Sequence, residues 1–188
     1  GEDSPAARTL GVELARTERY VDMVMTYLRL DGAEGDYVFR ETAVDPLVRE
    51  AVKRFSGEFI AKHLTVDIAG TGIVTVTDAK WLSFVLEQLL SNALKYTRAG
   101  CVRIFSTAPC KLSVADSGIG IASEDLPRIF ERGYTGGSGR TDAHSSGIGL
   151  YLCRRVCDLL GVGLTATSTV GVGTTVTLDF TQNRARVE

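Results

Sequence analysis

Three places in the chain carry residues whose types and spacing could do chemistry. Gln88, Asn92 and Lys95 follow one another at intervals of four and three, so on a helix they share one stripe. An amide oxygen and an ammonium on one stripe suit a magnesium-bound polyphosphate, because magnesium takes hard oxygens and keeps several waters while lysine neutralises phosphate charge. A solvated polar face would carry the same residues, so the helix alone does not decide. Asp116 precedes Gly118-Ile119-Gly120. A carboxylate there can accept a hydrogen bond from the exocyclic amine of adenine while the glycines let the ring approach the backbone. Gly147-Ile148-Gly149-Leu150 opens a predicted helix after a long loop, and free amides at a helix start favour phosphate. One site could hold both ends of ATP.

A third glycine pair, Gly171-Val172-Gly173, lies further along. A glycine pair by itself marks a turn more often than a ligand. None of the three continues into the dinucleotide fingerprint or the P-loop, so ordinary nucleotide folds are poor fits.

These residues need elements to position them. The apolar residues Leu82, Val85, Leu86, Leu89, Leu90, Ala93 and Leu94 recur at helical spacing and predict a central helix from about Asp78 to Tyr96 with a broad core face. Upstream, Leu10, Leu14, Thr17, Val21, Val24 and Leu28 alternate four and three, the seam of a coiled coil or bundle, within a helix over residues 5–31. One helix cannot bury such a seam alone, so a partner helix is implied, by dimerisation or by packing on the downstream domain. Asp31 to Gly35 reads as a linker, Tyr37 to Ala43 as a strand, and Asp45 to about Ile60 as a helix begun by Pro46. Leu64 to Ala69 and Ile73 to Thr77 alternate around Gly70-Thr71-Gly72 and predict a hairpin. Strands over Cys101 to Thr107 and Lys111 to Ala115 come next, then a short helix capped by Ser123 and reaching Phe130. A glycine- and serine-rich loop occupies 131–146. A helix from about Ser146 to Leu160 stops at Gly161, strands Leu164 to Ser168 and Thr174 to Phe180 close the domain, and 181–188 is a polar tail. The mixture predicts an α+β fold: a two-layer α/β sandwich, with a mixed, mostly antiparallel sheet covered on one face by helices.

Composition agrees. The 188 residues, 44% hydrophobic and 23% charged, suffice for one domain with a small appendage. A net charge of -2 gives no basic footprint for nucleic acid. No apolar run approaches the roughly 18–20 residues that span a bilayer. The abrupt start at Gly1-Glu2-Asp3-Ser4 leads us to expect a piece of a longer protein. The four cysteines lack metal-ligand spacing; Cys153 and Cys157, four apart on a predicted helix, read as small buried hydrophobes, and a reducing compartment is expected.

Taken together, Asn92-Ala93-Leu94-Lys95-Tyr96, Asp116-Ser117-Gly118-Ile119-Gly120-Ile121, Phe130-Glu131-Arg132-Gly133-Tyr134, Gly147-Ile148-Gly149-Leu150 and Gly171-Val172-Gly173-Thr174 resemble the ordered boxes of the GHKL ATP-binding fold. The set is similar to the catalytic domain of bacterial sensor histidine kinases over about residues 36–180. The resemblance implies ATP and Mg2+ as cofactors, with Asn92 as magnesium ligand, Lys95 as phosphate contact, Tyr96 as a wall of the adenine pocket, and Asp116 as adenine reader supported by Thr174. Gly147 and Gly149 would let amides reach the phosphates, and Arg132 or Arg140 would meet the γ-phosphate. Gly118, Gly120, Ile121, Tyr134, Thr135, Ile148 and Leu150 complete the implied ATP-binding set.

The same resemblance divides the chain into the second helix of a dimerisation bundle (1–32), an ATP-binding catalytic domain (33–180) and the tail (181–188). It implies a cytoplasmic domain of a protein held in the bacterial cell membrane. That protein would be a homodimer through the N-terminal helix and would pass phosphate to a response-regulator receiver domain, with no nucleic acid as partner. The acceptor histidine is expected on an absent first helix, since His63 and His144 read as bystanders. Two features depart from the relatives. Some GHKL ATPases place a glutamate four residues before the asparagine to activate water, whereas this chain has Gln88, which cannot take a proton. Gly133-Tyr134-Thr135-Gly136 replaces the commoner aromatic-aromatic-arginine run, leaving the γ-phosphate arginine open between Arg132 and Arg140. The rival readings are a GHKL hydrolase or clamp, an anti-sigma-factor-type serine kinase and a non-enzymatic scaffold that has lost catalysis.

Overall fold

The computed structural model describes residues 37–136 and 146–186, with side chains as far as Asn183, and helical positions 14, 17, 21, 24, 25 and 28 nearer the N-terminus. The chain divides into two units, Gly1–Asp36 and Tyr37–Glu188. In the first, Leu14, Val21, Met25 and Leu28 are helical and exposed. The seam position Leu10 and the linker over 31–35 lie outside the described residues.

In the second unit, strand β1 (Arg40–Ala43) leads into helices α1 (Val44–Arg54) and α2 (Ser56–Ala61), then strands β2 (Thr65–Ile68) and β3 (Val74–Thr77). Helix α3 (Ala79–Tyr96) follows, then β4 (Cys101–Ala108), β5 (Lys111–Asp116), helix α4 (Gly149–Leu160), β6 (Gly163–Thr169) and β7 (Gly173–Asp179). Five strands form one sheet in the order β2-β4-β5-β7-β6, parallel between β2 and β4 and antiparallel elsewhere, while β1 and β3 pair separately. This is the expected α+β sandwich.

Helix α3 forms where its apolar period requires. Asp78 caps it, its Oδ1 accepting from the amides of Lys80 at 2.9 Å and Trp81 at 3.2 Å. The same carboxylate accepts the Val38 amide at 2.8 Å, tying the incoming chain to the helix start. Leu82, Val85, Leu86, Leu89, Leu90 and Leu94 are each 3% exposed or less, and burying such a side chain stabilises by about 2 kcal/mol. The helix packs on α1, α4 and β5, whose Val48, Val156, Leu112 and Val114 are buried, as are Val102, Ile104, Leu164 and Leu178 of the other strands.

Four local expectations are corrected. The predicted hairpin between β2 and β3 does not form, because β2 joins β4 and β3 joins β1. Asp45, at the start of α1, accepts the amides of Thr71 and Gly72 at 3.0 and 3.1 Å, so Gly70-Thr71-Gly72 is held to that helix instead of closing a turn. The helix over Asp45–Ile60 breaks at Phe55, which adopts φ -97°, ψ 6° and buries its ring. Only a 3-10 turn over Leu126–Arg128 stands where a helix capped by Ser123 was expected; Pro127 removes one of its amide donors, and the Asp125 carboxylate accepts from the Tyr134 hydroxyl. The end of the chain is not simply a polar tail: residues 181–186 form a 3-10 helix, and Asn183 is 1% exposed, its Nδ2 donating to Leu160 O at 3.0 Å and Val76 O at 3.2 Å.

Candidate functional site

Four chain segments meet beside the polar stripe of α3. At the C-terminal end of that helix, Tyr96 O accepts the Ile119 amide at 3.2 Å, and a Cβ on Gly118 would stand 2.6 Å from the same oxygen. The loop after β5 is thereby pressed against the last turn of α3. Two turns earlier, Gln88 Oε1 stands 3.0 Å from where a Cβ on Gly149 would be, so the stripe also touches the first residue of α4. Asn92 lies one turn from each of these contacts, about 5.4 Å along the axis. It is half-buried, and its Nδ2 is buried with no hydrogen-bond partner among the described residues. Lys95 is half-buried, with Nζ 5.4 Å from the Tyr96 ring centroid.

Asp116 ends β5, opposite Thr174 on β7, and Thr174 in turn stands opposite Ser168 on β6. Directly opposed residues share a face, so these three side chains form one row across the sheet. Asp116 Oδ1 accepts the Gly118 amide at 2.8 Å and the Thr174 amide at 3.4 Å. Burial raises its pKa above the ordinary carboxylate value, against the lowering effect of those two amides. Gly120 has φ 71°, and any Cβ there would stand 2.1 Å from Thr169 O; only glycine lets this loop lie against the β6–β7 turn. The Ile121 amide donates to Ser168 Oγ at 2.8 Å.

The stem of the long loop is equally tight. Gly133 N donates to Gly147 O at 3.0 Å, and with φ 64° at Gly147 a Cβ would fall 2.5 Å from the Gly133 carbonyl carbon. This left-handed residue cannot be helical, which is why α4 begins at Gly149 and not at Ser146. Ile148, half-buried, precedes it and has no polar side chain to cap it, its own amide donating to Ser146 Oγ at 3.4 Å, and Leu150 is half-buried in the first turn. The Tyr134 ring lies under the Arg128 guanidinium at 4.4 Å, its hydroxyl bonded to Asp125, while Thr135 is half-buried beside it in sequence and Arg132 is exposed on the stem. Arg140 and His144 lie outside the described residues. His63 has φ 53° in the turn before β2, remote in sequence from all of these groups.

Two positioning groups were not read from the sequence. Arg154 stacks on Phe130 at 4.6 Å and donates to Leu164 O at 2.8 Å, bracing the phenylalanine box against β6. Ser168 meets Ile121, Gly173 and Thr174. The second could have been found by counting back from the Val170–Val172 turn, which sets Ser168 opposite Thr174.

The assembled site has the half-buried Asp116 carboxylate at one end, the Asn92 amide in the middle and the start of α4 at the other. Residues 77–184 match the family described as histidine kinase-, DNA gyrase B- and HSP90-like ATPase. The chain belongs to this family. Within the ATPase family, its relatives are sensor kinases. It is 38% identical over 183 residues to the sensor histidine kinase GraS of Staphylococcus haemolyticus, covering 95% of this chain and 53% of that protein. It is also 38% identical over 184 residues to the sensor protein BceS of Halalkalibacterium halodurans, covering 95% and 54%. The chain thus spans about half the length of the curated relatives it matches. Among solved structures, full-length ShkA in complex with AMPPNP superposes with a TM-score of 0.74 at 22% identity, over 94% of this chain and 39% of that one. The catalytic domain of the histidine kinase ThkA gives 0.65 at 22% identity, over 76% and 95%. These likenesses show the fold: this member of the ATPase family has the GHKL architecture of histidine kinase catalytic domains.

Proposed function

We propose that the second unit binds magnesium-ATP and donates its γ-phosphoryl group to a histidine imidazole on a helix outside this chain, for relay to a response-regulator aspartate. The observation that carries the reading is the convergence on one α3 stripe: Tyr96 against the Asp116 loop, Gln88 against Gly149, and Asn92 between them. Asp116 would read the adenine amine with the oxygen not occupied by Gly118, and Tyr96, Gly118, Gly120 and Ile121 would bound the ring. The amides of Gly147, Ile148, Gly149 and Leu150 would receive phosphate, a role the α4 dipole favours. Lys95 would contact phosphate. Tyr134 and Thr135 would border the triphosphate from the loop stem, and Arg132 or Arg140 would meet its terminal group.

The site fits a magnesium ion. Asn92 presents a hard oxygen on a side chain whose other polar atom is orphaned in the interior, and magnesium needs few protein ligands when phosphates and waters supply the rest. When bound, it would neutralise charge on the transferring phosphoryl. The chain's own contribution is positioning and electrostatics, as phosphoryl transfer requires. Gln88 at the base position accepts no proton, which favours an external imidazole over water as nucleophile.

The N-terminal unit would be the second helix of a dimerisation bundle, its exposed Leu14, Val21 and Leu28 meeting partner helices. The whole protein would be a homodimer held in the bacterial cell membrane, with this chain on the cytoplasmic side. A mixing experiment tests the transfer. Incubated with magnesium-ATP and a separately made helical hairpin bearing the acceptor histidine of a sensor kinase, the chain should place acid-labile phosphate on the hairpin. Steady hydrolysis unaffected by the hairpin, with no labelled histidine, would contradict the reading.

A further inference from the structure

We propose that Ser168 is a positioning residue that fixes the polarity of the Thr174 hydroxyl and thereby sets the preference of the site for a 6-amino purine. The inference rests on the ATP-site reading above.

The protons of this network can be assigned from its partners alone. Ser168 Oγ lies 2.8 Å from Gly173 O, and a carbonyl oxygen only accepts, so the serine proton points there. It lies 2.8 Å from Ile121 N, and an amide only donates. It lies 2.9 Å from Thr174 Oγ1. Two oxygens that close require a proton between them, and the serine proton is already committed. The threonine must therefore donate to the serine. Its hydroxyl then shows only lone pairs to anything approaching the sheet edge.

Asp116 stands beside it in the same cross-strand row, with Oδ1 occupied by the Gly118 and Thr174 amides and no bond to Oδ2 among the described residues. Both groups thus face a ligand as acceptors. The amine at position 6 of adenine supplies donors to that pair. The carbonyl oxygen at position 6 of hypoxanthine or guanine meets acceptors and is opposed, and leaving buried polar groups unpaired is how a site built for one hydrogen-bond pattern rejects another. Ser168 touches no ligand in this scheme; it acts through Thr174. Without it the threonine proton is free to turn toward the ligand and accommodate the wrong purine.

The test is the ratio of affinities for ATP and inosine triphosphate, each with magnesium, measured by calorimetric titration on the whole chain. In Ser168→Ala the preference for ATP should fall by about five- to tenfold, the equivalent of one neutral hydrogen bond. Ser168→Thr, which keeps the hydroxyl and suits a strand, should restore it. Thr174→Val should lower the ratio by a similar factor, and adding Ser168→Ala to Thr174→Val should lower it no further. A loop that was merely loosened would weaken both nucleotides together and leave the ratio alone. An unchanged ratio in Ser168→Ala, or a second drop in the double variant, overturns the role of Ser168 while the ATP-site reading stands. Should Ser168→Ala fail to fold, an unchanged ratio in Thr174→Val overturns it equally. If the unaltered chain binds neither nucleotide, both the site reading and this inference fall.

Discussion

Asp116 carries two opposed demands. Its Oδ1 organises the loop by accepting two backbone amides, while burial makes the ionised form costly, the balance being a raised pKa. A carboxyl whose folded-state pKa lies above its unfolded value favours the protonated native state, so its contribution is best at low pH and stability is lost as pH rises through the folded value. Asp116→Asn keeps an oxygen for the Gly118 amide and removes the charge. In the proposed site it would also turn an amide nitrogen toward the adenine amine, donor against donor. We predict that the variant binds ATP at least about tenfold more weakly, as expected for losing a hydrogen bond to a charged group. It should melt at no lower a temperature than the parent at neutral pH, and any gain should vanish below the unfolded carboxylate pKa. Paired titrations and melting curves across pH 3–8 check both halves. Weaker stability at neutral pH would mean the charge supports the loop instead of straining it.

Elements explain what the sequence hid. The helix α3 and the glycine boxes were legible because their signals are local: a helical apolar period, and glycines where the backbone turns left-handed or passes within contact distance. The β2–β3 connection misled because Gly70-Thr71-Gly72 has hairpin composition, whereas its amides are captured by Asp45 from 26 residues away in sequence. The inward face of β3 carries Thr75 and Thr77, 3% and 0% exposed, while Val74 faces out, so alternation marks the strand but not which of its faces is buried. The last residues looked solvated because their composition is polar. Asn183 nevertheless joins the end of α4 to β3 through Leu160 O and Val76 O. Asn183→Ala takes a donor from one buried and one part-buried carbonyl and should cost about 1–3 kcal/mol in urea unfolding with little change in slope. A loss within about 0.5 kcal/mol would show that the end segment frays freely.

At the scale of the molecule, the second unit has a core that can be followed through its thiols. Cys153 and Cys157 are both 0% exposed on the inner face of α4, and burial pushes the Cys157 thiol up to about 12. Neither can form a reactive thiolate in the native state. Labelling of both by a thiol reagent should therefore track global unfolding across a denaturant series, with a midpoint matching that seen by circular dichroism. Labelling that precedes unfolding would mean that α4, and with it the phosphate end of the site, opens separately.

The proposed site holds a single nucleotide reaching from Asp116 to the start of α4 past Asn92. The most direct measurement is a magnetic-resonance titration of the isotope-labelled chain with magnesium and a non-hydrolysable ATP analogue. The amides of Gly118, Ile121 and Thr174, the Asn92 side chain and the amide of Gly149 should shift together along one binding curve. Shifts confined to one end, or two curves with different midpoints, would contradict it.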